Sequence, residues 1–338
     1  MTHVSEGSIA LVTGGAGRLG CAVVRELLER GAKVRVLDAA RDRAALAGLD
    51  VEVHEASVLD RAAVEAAMEG ASVVFHTAAK IDLTADRDGS IARVNVEGTR
   101  AVAEAALSRG LRMVHTSSHA ALDRRPLDRA LTEDAPLALD DPCDYHRSKA
   151  RGEKLVLDLV RSRGLDAVVV SPGTLTGPFD FTPSIFGQAL IDLYEGRIPI
   201  LLEAVTDYAD VRDVSRAVVA AADRGRAGER YLLTGDVRDI RSVARSLEAV
   251  TGRRMPRRAL PLWVGWAMLP ATEAISRLRG QTPLYSAGML RASVSNPVVR
   301  RDKAERELGY RIRSMEASLG DAFAFYGERG LLRPARRR

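Results

Sequence analysis

The 338 residues, 46% hydrophobic and 28% charged, suit one large α/β domain or two smaller globular ones and exclude disorder or a fibre for the whole chain. Net charge is +5, but four arginines fall in the last six residues, Arg333 to Arg338, so the body carries no excess that marks a nucleic-acid surface. Two cysteines, Cys21 and Cys143, are too few and too far apart for a disulfide framework or a cysteine-based zinc site, which points to a reducing, cytoplasmic setting.

Met1 to Gly7 has no basic region followed by an apolar stretch, so no signal peptide is expected. The first half then alternates short β-branched runs with helical patterns. Strands are expected at Ile9 to Thr13, Val34 to Asp38, Val51 to His54, Val73 to His76, Met113 to Ser117 and Ala167 to Ser171. Helices are expected at Leu19 to Arg30, Arg61 to Glu69, Ser90 to Arg109 and Tyr145 to Arg163. That alternation is the pattern of an α/β fold with a doubly wound parallel sheet. After Pro172 the rhythm changes: Gly173, Gly177, Pro178, Pro183 and Gly187 crowd together with no regular strand and helix repeat, as in a loop-rich functional stretch. Beyond it the pattern predicts a helix at Val211 to Asp223, a strand at Arg230 to Leu233, and helices at Ile240 to Thr251, Leu262 to Leu278 and Met315 to Tyr326.

Residues 1–172 are therefore expected to form a dinucleotide-binding domain and 173–332 mainly a smaller substrate-binding lobe with some segments returning to the first, with 333–338 a frayed tail. The longest apolar run, Ala259 to Ala271, is broken by Pro261 and Pro270 and falls short of the roughly 20 residues a membrane-spanning helix needs. A protein without a membrane span is expected.

The first strand runs into Thr13-Gly14-Gly15-Ala16-Gly17-Arg18-Leu19-Gly20, directly followed by a helical pattern. Glycines there allow a tight turn and let a pyrophosphate approach backbone N–H groups at a helix amino terminus. The second strand ends at Asp38, where a carboxylate accepts from adenine-ribose hydroxyls and repels a 2′-phosphate, favouring NAD over NADP. Arg41 and Arg43 nearby could still attract a phosphate. Tyr145 and Lys149 are four apart on one helix face, so an ammonium beside a phenol is expected to lower the tyrosine pKa towards the operating range. Ser117 and Ser118 close a strand at the carboxyl edge of the sheet, where a hydroxyl can bond a substrate oxygen.

Together, Thr13 to Gly20, Asp38, Ser118 and Tyr145-His146-Arg147-Ser148-Lys149 resemble an extended short-chain dehydrogenase/reductase over nearly the whole chain. Tyr208 to Val214 and Gly228 to Gly235 are similar to its branch of dihydroflavonol-4-reductase-like and 3β-hydroxysteroid dehydrogenase-like proteins. The resemblance implies a Rossmann-type fold and roles for individual residues. Ser118 would polarise the substrate oxygen, Tyr145 would be the acid or base, Lys149 would bind the nicotinamide ribose and lower the phenol pKa, and Asn95 would support the site from a neighbouring helix. The cofactor would run along Gly14, Gly17, Arg18, Leu19 and Gly20, and past Asp38, Ser57, Val58, Ala78, Ala79, Lys80 and Thr116. It would reach Tyr145, Lys149, Pro172 and Gly173. It also implies a homodimer built on the helices Ser90 to Arg109 and Tyr145 to Arg163.

Departures narrow the chemistry. Asp38-Ala39 replaces the arginine that many reductases of the branch carry for NADPH, and Ser57 stands where an aspartate often contacts adenine. Ser171 to Pro178 lacks the arginine-led motif of sugar-nucleotide enzymes, and His119-Ala120 replaces the acidic pair of a 4,6-dehydratase. The reading is an NAD-dependent oxidoreductase acting on a secondary alcohol or ketone of a small molecule; its rivals are an NAD-dependent sugar epimerase and a non-catalytic NAD-binding sensor. His115 and His119 are weak metal candidates and no metal is expected. Trp263, Trp266, Met268 and Leu269 are expected in the core or an interface, with an apolar substrate pocket as the alternative.

Overall fold

The computed structural model describes residues 3–40, 42–279 and 286–333. In chain order the first part contains β1 (Ile9–Thr13), α1 (Arg18–Glu29), β2 (Lys33–Asp38), β3 (Val51–Glu55), α2 (Arg61–Ala67), β4 (Val73–His76), α3 (Ser90–Ala92), α4 (Thr99–Ser108), β5 (Arg112–Thr116), α5 (Asp144–Arg163) and β6 (Ala167–Pro172). It continues with β7 (Thr174–Thr176), α6 (Ile185–Tyr194), β8 (Leu201–Leu202), β9 (Val205–Asp210), α7 (Val211–Arg224), β10 (Arg230–Leu233), β11 (Asp236–Asp239) and α8 (Ile240–Thr251). The last elements are β12 (Ala259–Leu260), α9 (Leu262–Arg279), α10 (Ala287–Ala292), α11 (Asp302–Glu307) and α12 (Met315–Glu328).

Seven strands pair in parallel in the order β10-β6-β5-β4-β1-β2-β3, a Rossmann-type sheet. β4, β5 and β6 are buried at every position, as parallel strands are when helices cover both faces. The alternation of side chains splits β1 between two cores. Ala10 and Val12 face a cluster with Val23, Leu27, Val218 and Leu233, built by α1 and α7, whereas Leu11 faces one with Val64, Val102, Met113 and Val156, built by α2, α4 and α5.

The helix expected at Ser90 to Arg109 is interrupted. Between α3 and α4, residues Arg93–Gly98 wind as a π turn, a local widening that 3.6-residue periodicity does not reveal. The stretch after Pro172, expected to be loop-rich without a regular strand and helix repeat, carries several short elements. It holds β7, α6, β8 and β9, whose strands include runs of two and three residues, too short to show a period. β7, β9 and β11 form a second sheet and β8 pairs with β12. A third cluster, including Leu190, Tyr208, Leu247, Phe323 and Tyr326, fills the space between α6, α8 and α12.

Trp263, Trp266 and Met268 are not core residues in this chain: they are 68%, 37% and 53% exposed, because α9 rests on its Gly265 side against Leu202 and Leu290. Arg41, and the tail beyond Arg333, lie outside the described residues. No helix among the described residues is long and apolar enough to cross a membrane.

Candidate active site

The glycine loop forms where the strand order reverses between β1 and β4, the point at which a crevice opens in this type of sheet. Gly14 has φ +73°, and a Cβ there would stand 2.6 Å from the Ala78 Cα. A Cβ on Gly20 would stand 2.1 Å from the Gly14 carbonyl oxygen, so α1 can follow the loop this closely only with glycine at that position. α1 begins after Gly17 with no side-chain cap on its first N–H groups. Those unpartnered donors and the positive end of the helix dipole suit a phosphate.

The Asp38 carboxylate closes one side of this loop, Oδ2 accepting from the Ala16 N–H and Oδ1 from the Ala40 N–H, both at 2.8 Å. Its remaining lone pairs can accept ribose hydroxyls. Ser57 and Val58 lie in the turn after β3, where the Ser57 oxygens accept from the Leu59 and Asp60 amides and Val58 packs against Gly98. Ala78, Ala79 and Lys80 follow β4; the Lys80 N–H donates to Asn95 Oδ1 at 2.7 Å, and its ammonium turns to Ser90. Arg18 sends its guanidinium away from the loop, to the carbonyls of Leu175, Gly177 and Pro178 and to Asp180 at 3.3 Å. It ties the glycine loop to the segment after β7. Leu19 is buried behind it.

Ser118, Tyr145 and Lys149 converge at the carboxyl ends of β5 and β6. Ser118 begins a short turn, its Oγ accepting from the Ala120 N–H at 3.2 Å, and its hydroxyl lies beside the Tyr145 phenol. One turn along α5, the Lys149 ammonium donates to the Thr116 carbonyl at 2.6 Å. The expected lowering of the tyrosine pKa by this lysine is not present. Burial pushes the phenol up to about 12, with the Ser118 hydrogen bond as the opposing influence, and burial also brings Lys149 down to about 8 against the attraction of Glu153.

Asn95, 2% exposed, sits in the π turn and clamps two elements: its Nδ2 donates to the Ser148 hydroxyl at 2.9 Å and to the Lys80 carbonyl at 3.0 Å. Glu153 is a residue the sequence reading missed. Fully buried, it accepts from the Ser117 hydroxyl at 2.5 Å and pairs with Arg230 on β10, neutralising the floor below Lys149. Its place at i+4 from Lys149 and i+8 from Tyr145 on one helix face was the available signal. His76 and His115 stack beneath the site at 5.5 Å, and burial holds His76 down at about 3, so neither is a charged group at neutral pH. His115 and His119 do not form a metal-ligand group among the described residues; Asp141, Cys143 and His146, beside Tyr145, are the ones brought together.

A family model described as NAD dependent epimerase/dehydratase family matches residues 10–234. The chain belongs to the NAD-dependent epimerase/dehydratase family. Its relatives in this family, part of the extended short-chain dehydrogenase/reductases, include sterol demethylase protein B of Methylococcus capsulatus, 36% identical over 326 residues that cover 95% of this chain and 99% of that one. A second, the putative dihydroflavonol 4-reductase of Synechocystis, is 28% identical over 95% of both chains. Among solved structures, that of gox2253 superposes with a TM-score of 0.85 at 31% identity, covering 96% of this chain and all of that one. Members of the family are enzymes that use NAD(P), and the unpartnered N–H groups of α1 and the anchored Asp38 fit that cofactor.

Proposed function

We propose that this family member is an NAD-dependent dehydrogenase or reductase of secondary alcohols and ketones. The observation that carries the reading is the convergence of the Ser118 hydroxyl, the Tyr145 phenol and the buried Lys149 ammonium at the sheet edge beside the glycine loop. When bound, the nicotinamide supplies or accepts the hydride. Tyr145 delivers its proton to the ketone oxygen as the carbon is reduced, and Ser118 donates a hydrogen bond to the same oxygen. In oxidation Tyr145 removes the hydroxyl proton. Lys149, held by Thr116, places positive charge near the phenolate that forms. Asn95 fixes the helix turn of Ser148, and Ser57, Val58, Ala78, Ala79, Pro172 and Gly173 are proposed to line the cofactor.

An apolar ring system is the substrate class favoured by two observations. The exposed face of α9 stands next to α10, which packs on Leu83 in the loop leading from β4. A relative similar along nearly its whole length carries a sterol in its name. A panel of 3-oxo steroids, flavanones, cinnamaldehydes and sugar nucleotides, with NADH and NADPH followed by absorbance, tests both points. NADH oxidation with the apolar ketones is expected; turnover of sugar nucleotides alone, with NAD⁺ retained through purification, would favour the epimerase reading. The homodimer is proposed on the outer faces of α4 and α5, to be checked by sedimentation equilibrium.

A further inference from the structure

Asp141, Cys143 and His146 bring three kinds of metal ligand to one place beside Tyr145, with no two of their ligand atoms more than 4.8 Å apart. Cys143 and His146 are 4% and 1% exposed, whereas the Asp141 side chain keeps 22% of its exposure and opens the group to solvent. His146 Nδ1 is buried without a hydrogen-bond partner among the described residues, a condition that asks for a ligand. It stands 3.4 Å from Asp141 Oδ1. That is long for a hydrogen bond but close to the edge of a zinc tetrahedron: Zn–N and Zn–O bonds of about 2.0 Å set their two atoms about 3.3 Å apart. A thiolate bound at about 2.3 Å stands about 3.5 Å from each, so a movement on the order of 1 Å at Cys143 Sγ completes the set. The carboxylate is already held, Oδ1 accepting from the Cys143 N–H at 2.7 Å and keeping a second lone pair free. Arg147 fixes the same loop, donating to the Asp141 carbonyl at 2.6 Å while it pairs with Asp144. Arg124 is the nearby charge that opposes a cation, and its guanidinium donates to the carbonyls of Arg291 and Val294.

We propose that Asp141 Oδ1, Cys143 Sγ and His146 Nδ1 form a binding site for a single Zn²⁺ ion, with water as the fourth ligand. Thiolate and imidazole select zinc over magnesium and calcium, which take oxygen ligands. The Cys143 thiol releases its proton to solvent as the S–Zn bond forms, and the two negative charges of thiolate and carboxylate balance the ion. Three protein ligands and a water make an open site rather than the closed set of a structural zinc, so the chain folds without the ion and is stabilised by it through mass action. Cys143 is the residue from which α5 starts, and His146 follows Tyr145 with ring centroids 6.1 Å apart. A bound ion therefore ties the loop before α5 to its first turn, on both sides of the residue that carries the phenol. The site stands or falls independently of the oxidoreductase reading.

The test is a cobalt titration, because Co²⁺ enters zinc sites and its spectrum reports the ligands. Full-length protein freed of metal with a chelator is titrated with Co²⁺ near neutral pH. The expected spectrum has a thiolate-to-cobalt charge-transfer band with the visible bands of a tetrahedral centre, saturates at one ion per chain, and is erased by Zn²⁺ but not by excess Mg²⁺. Zn²⁺ is also expected to raise the thermal midpoint of the wild type. Cys143→Ser and His146→Gln are expected to lose the tetrahedral spectrum and to weaken Zn²⁺ binding by ~100-fold, at least the size of a lost outer-shell partner, with circular dichroism confirming that each variant is folded. Asp141→Asn is expected to keep the thiolate band and bind ~10-fold more weakly. A wild-type spectrum without the thiolate band overturns the site whatever the variants do, and so does a thiolate band that survives in folded Cys143→Ser.

Discussion

At Lys149 the ammonium is 6% exposed and burial takes its pKa from 10.5 to about 8. The folded protein therefore binds fewer protons there than the unfolded chain between these two values, and stability gained from this site rises with pH through that window. Below about pH 8 both states are charged and the full cost of burying the ammonium is present. Lys149→Met is expected to stabilise the protein at pH 7 by about 3 kcal/mol, with the gain vanishing above about pH 10.5, because Glu153 keeps Arg230 and Ser117 as partners. Thermal unfolding at pH 7 and 10.5 checks this, and the same variant is expected to lose catalysis. With the Tyr145 phenol pushed up to about 12 and Lys149 brought down to about 8, kcat/KM for alcohol oxidation is expected to rise with pH up to about 8 and to bend over above it as the ammonium loses its charge, whereas a flat profile would remove the phenol from the proton transfer. Tyr145→Phe is expected to lower kcat by ~10²- to 10⁴-fold with circular dichroism unchanged. At Asp38, replacement by Asn removes the charge that repels a 2′-phosphate, and the ratio of kcat/KM for NADPH to that for NADH is expected to rise.

Among the elements, α5 shows how the site is held. Gly152 faces the π turn so closely that a Cβ would stand 2.7 Å from the Asn95 carbonyl oxygen. Gly152→Ala is expected to cost ~1–3 kcal/mol by urea unfolding and to lower activity, since it pushes the helix bearing Tyr145 and Lys149 off Asn95. An unchanged midpoint would show that the turn can give way. The strands β1, β4 and β10 were legible to the residue: β1 (IALVT) and β4 (VVFH) are short runs with β-branched residues, and β10 (RYLL) is a short apolar run set between Gly228 and Gly235. The π turn was not, because it arises from contact between helices more than 50 residues apart: Asn95 meets Ser148 and Gly152. That Tyr145, Lys149 and Glu153 share one face of α5 was legible from spacing, whereas the pairing of Glu153 with Arg230 and the approach of Asp207 to His119 depend on partners from other elements.

Across the whole molecule, Arg18 is the strut between the glycine loop and the segment from β7 to Asp180. Its partner Asp180 is 1% exposed and is also held by Ser184 and by Tyr326 on α12. Removing the guanidinium leaves a buried carboxylate short of its cation, so Arg18→Ala is expected to cost on the order of 3 kcal/mol and Asp180→Asn in that background to recover part of it. Calorimetry of the single and double variants measures this. β9 and β10 extend the same joining: β10 completes the seven-stranded sheet, while β9 carries Asp207 to the end of β6.

Tyr145, Ser118 and Lys149 are proposed to serve hydride transfer to a carbonyl carbon. The most direct test of that role supplies NADH deuterated at nicotinamide C4 on the transferred face, with an apolar ketone, and weighs the alcohol formed. An alcohol one mass unit heavier is expected, with the deuterium on the carbinol carbon and the product lost in Tyr145→Phe. An alcohol free of deuterium, or one formed equally well by Tyr145→Phe, would contradict that role.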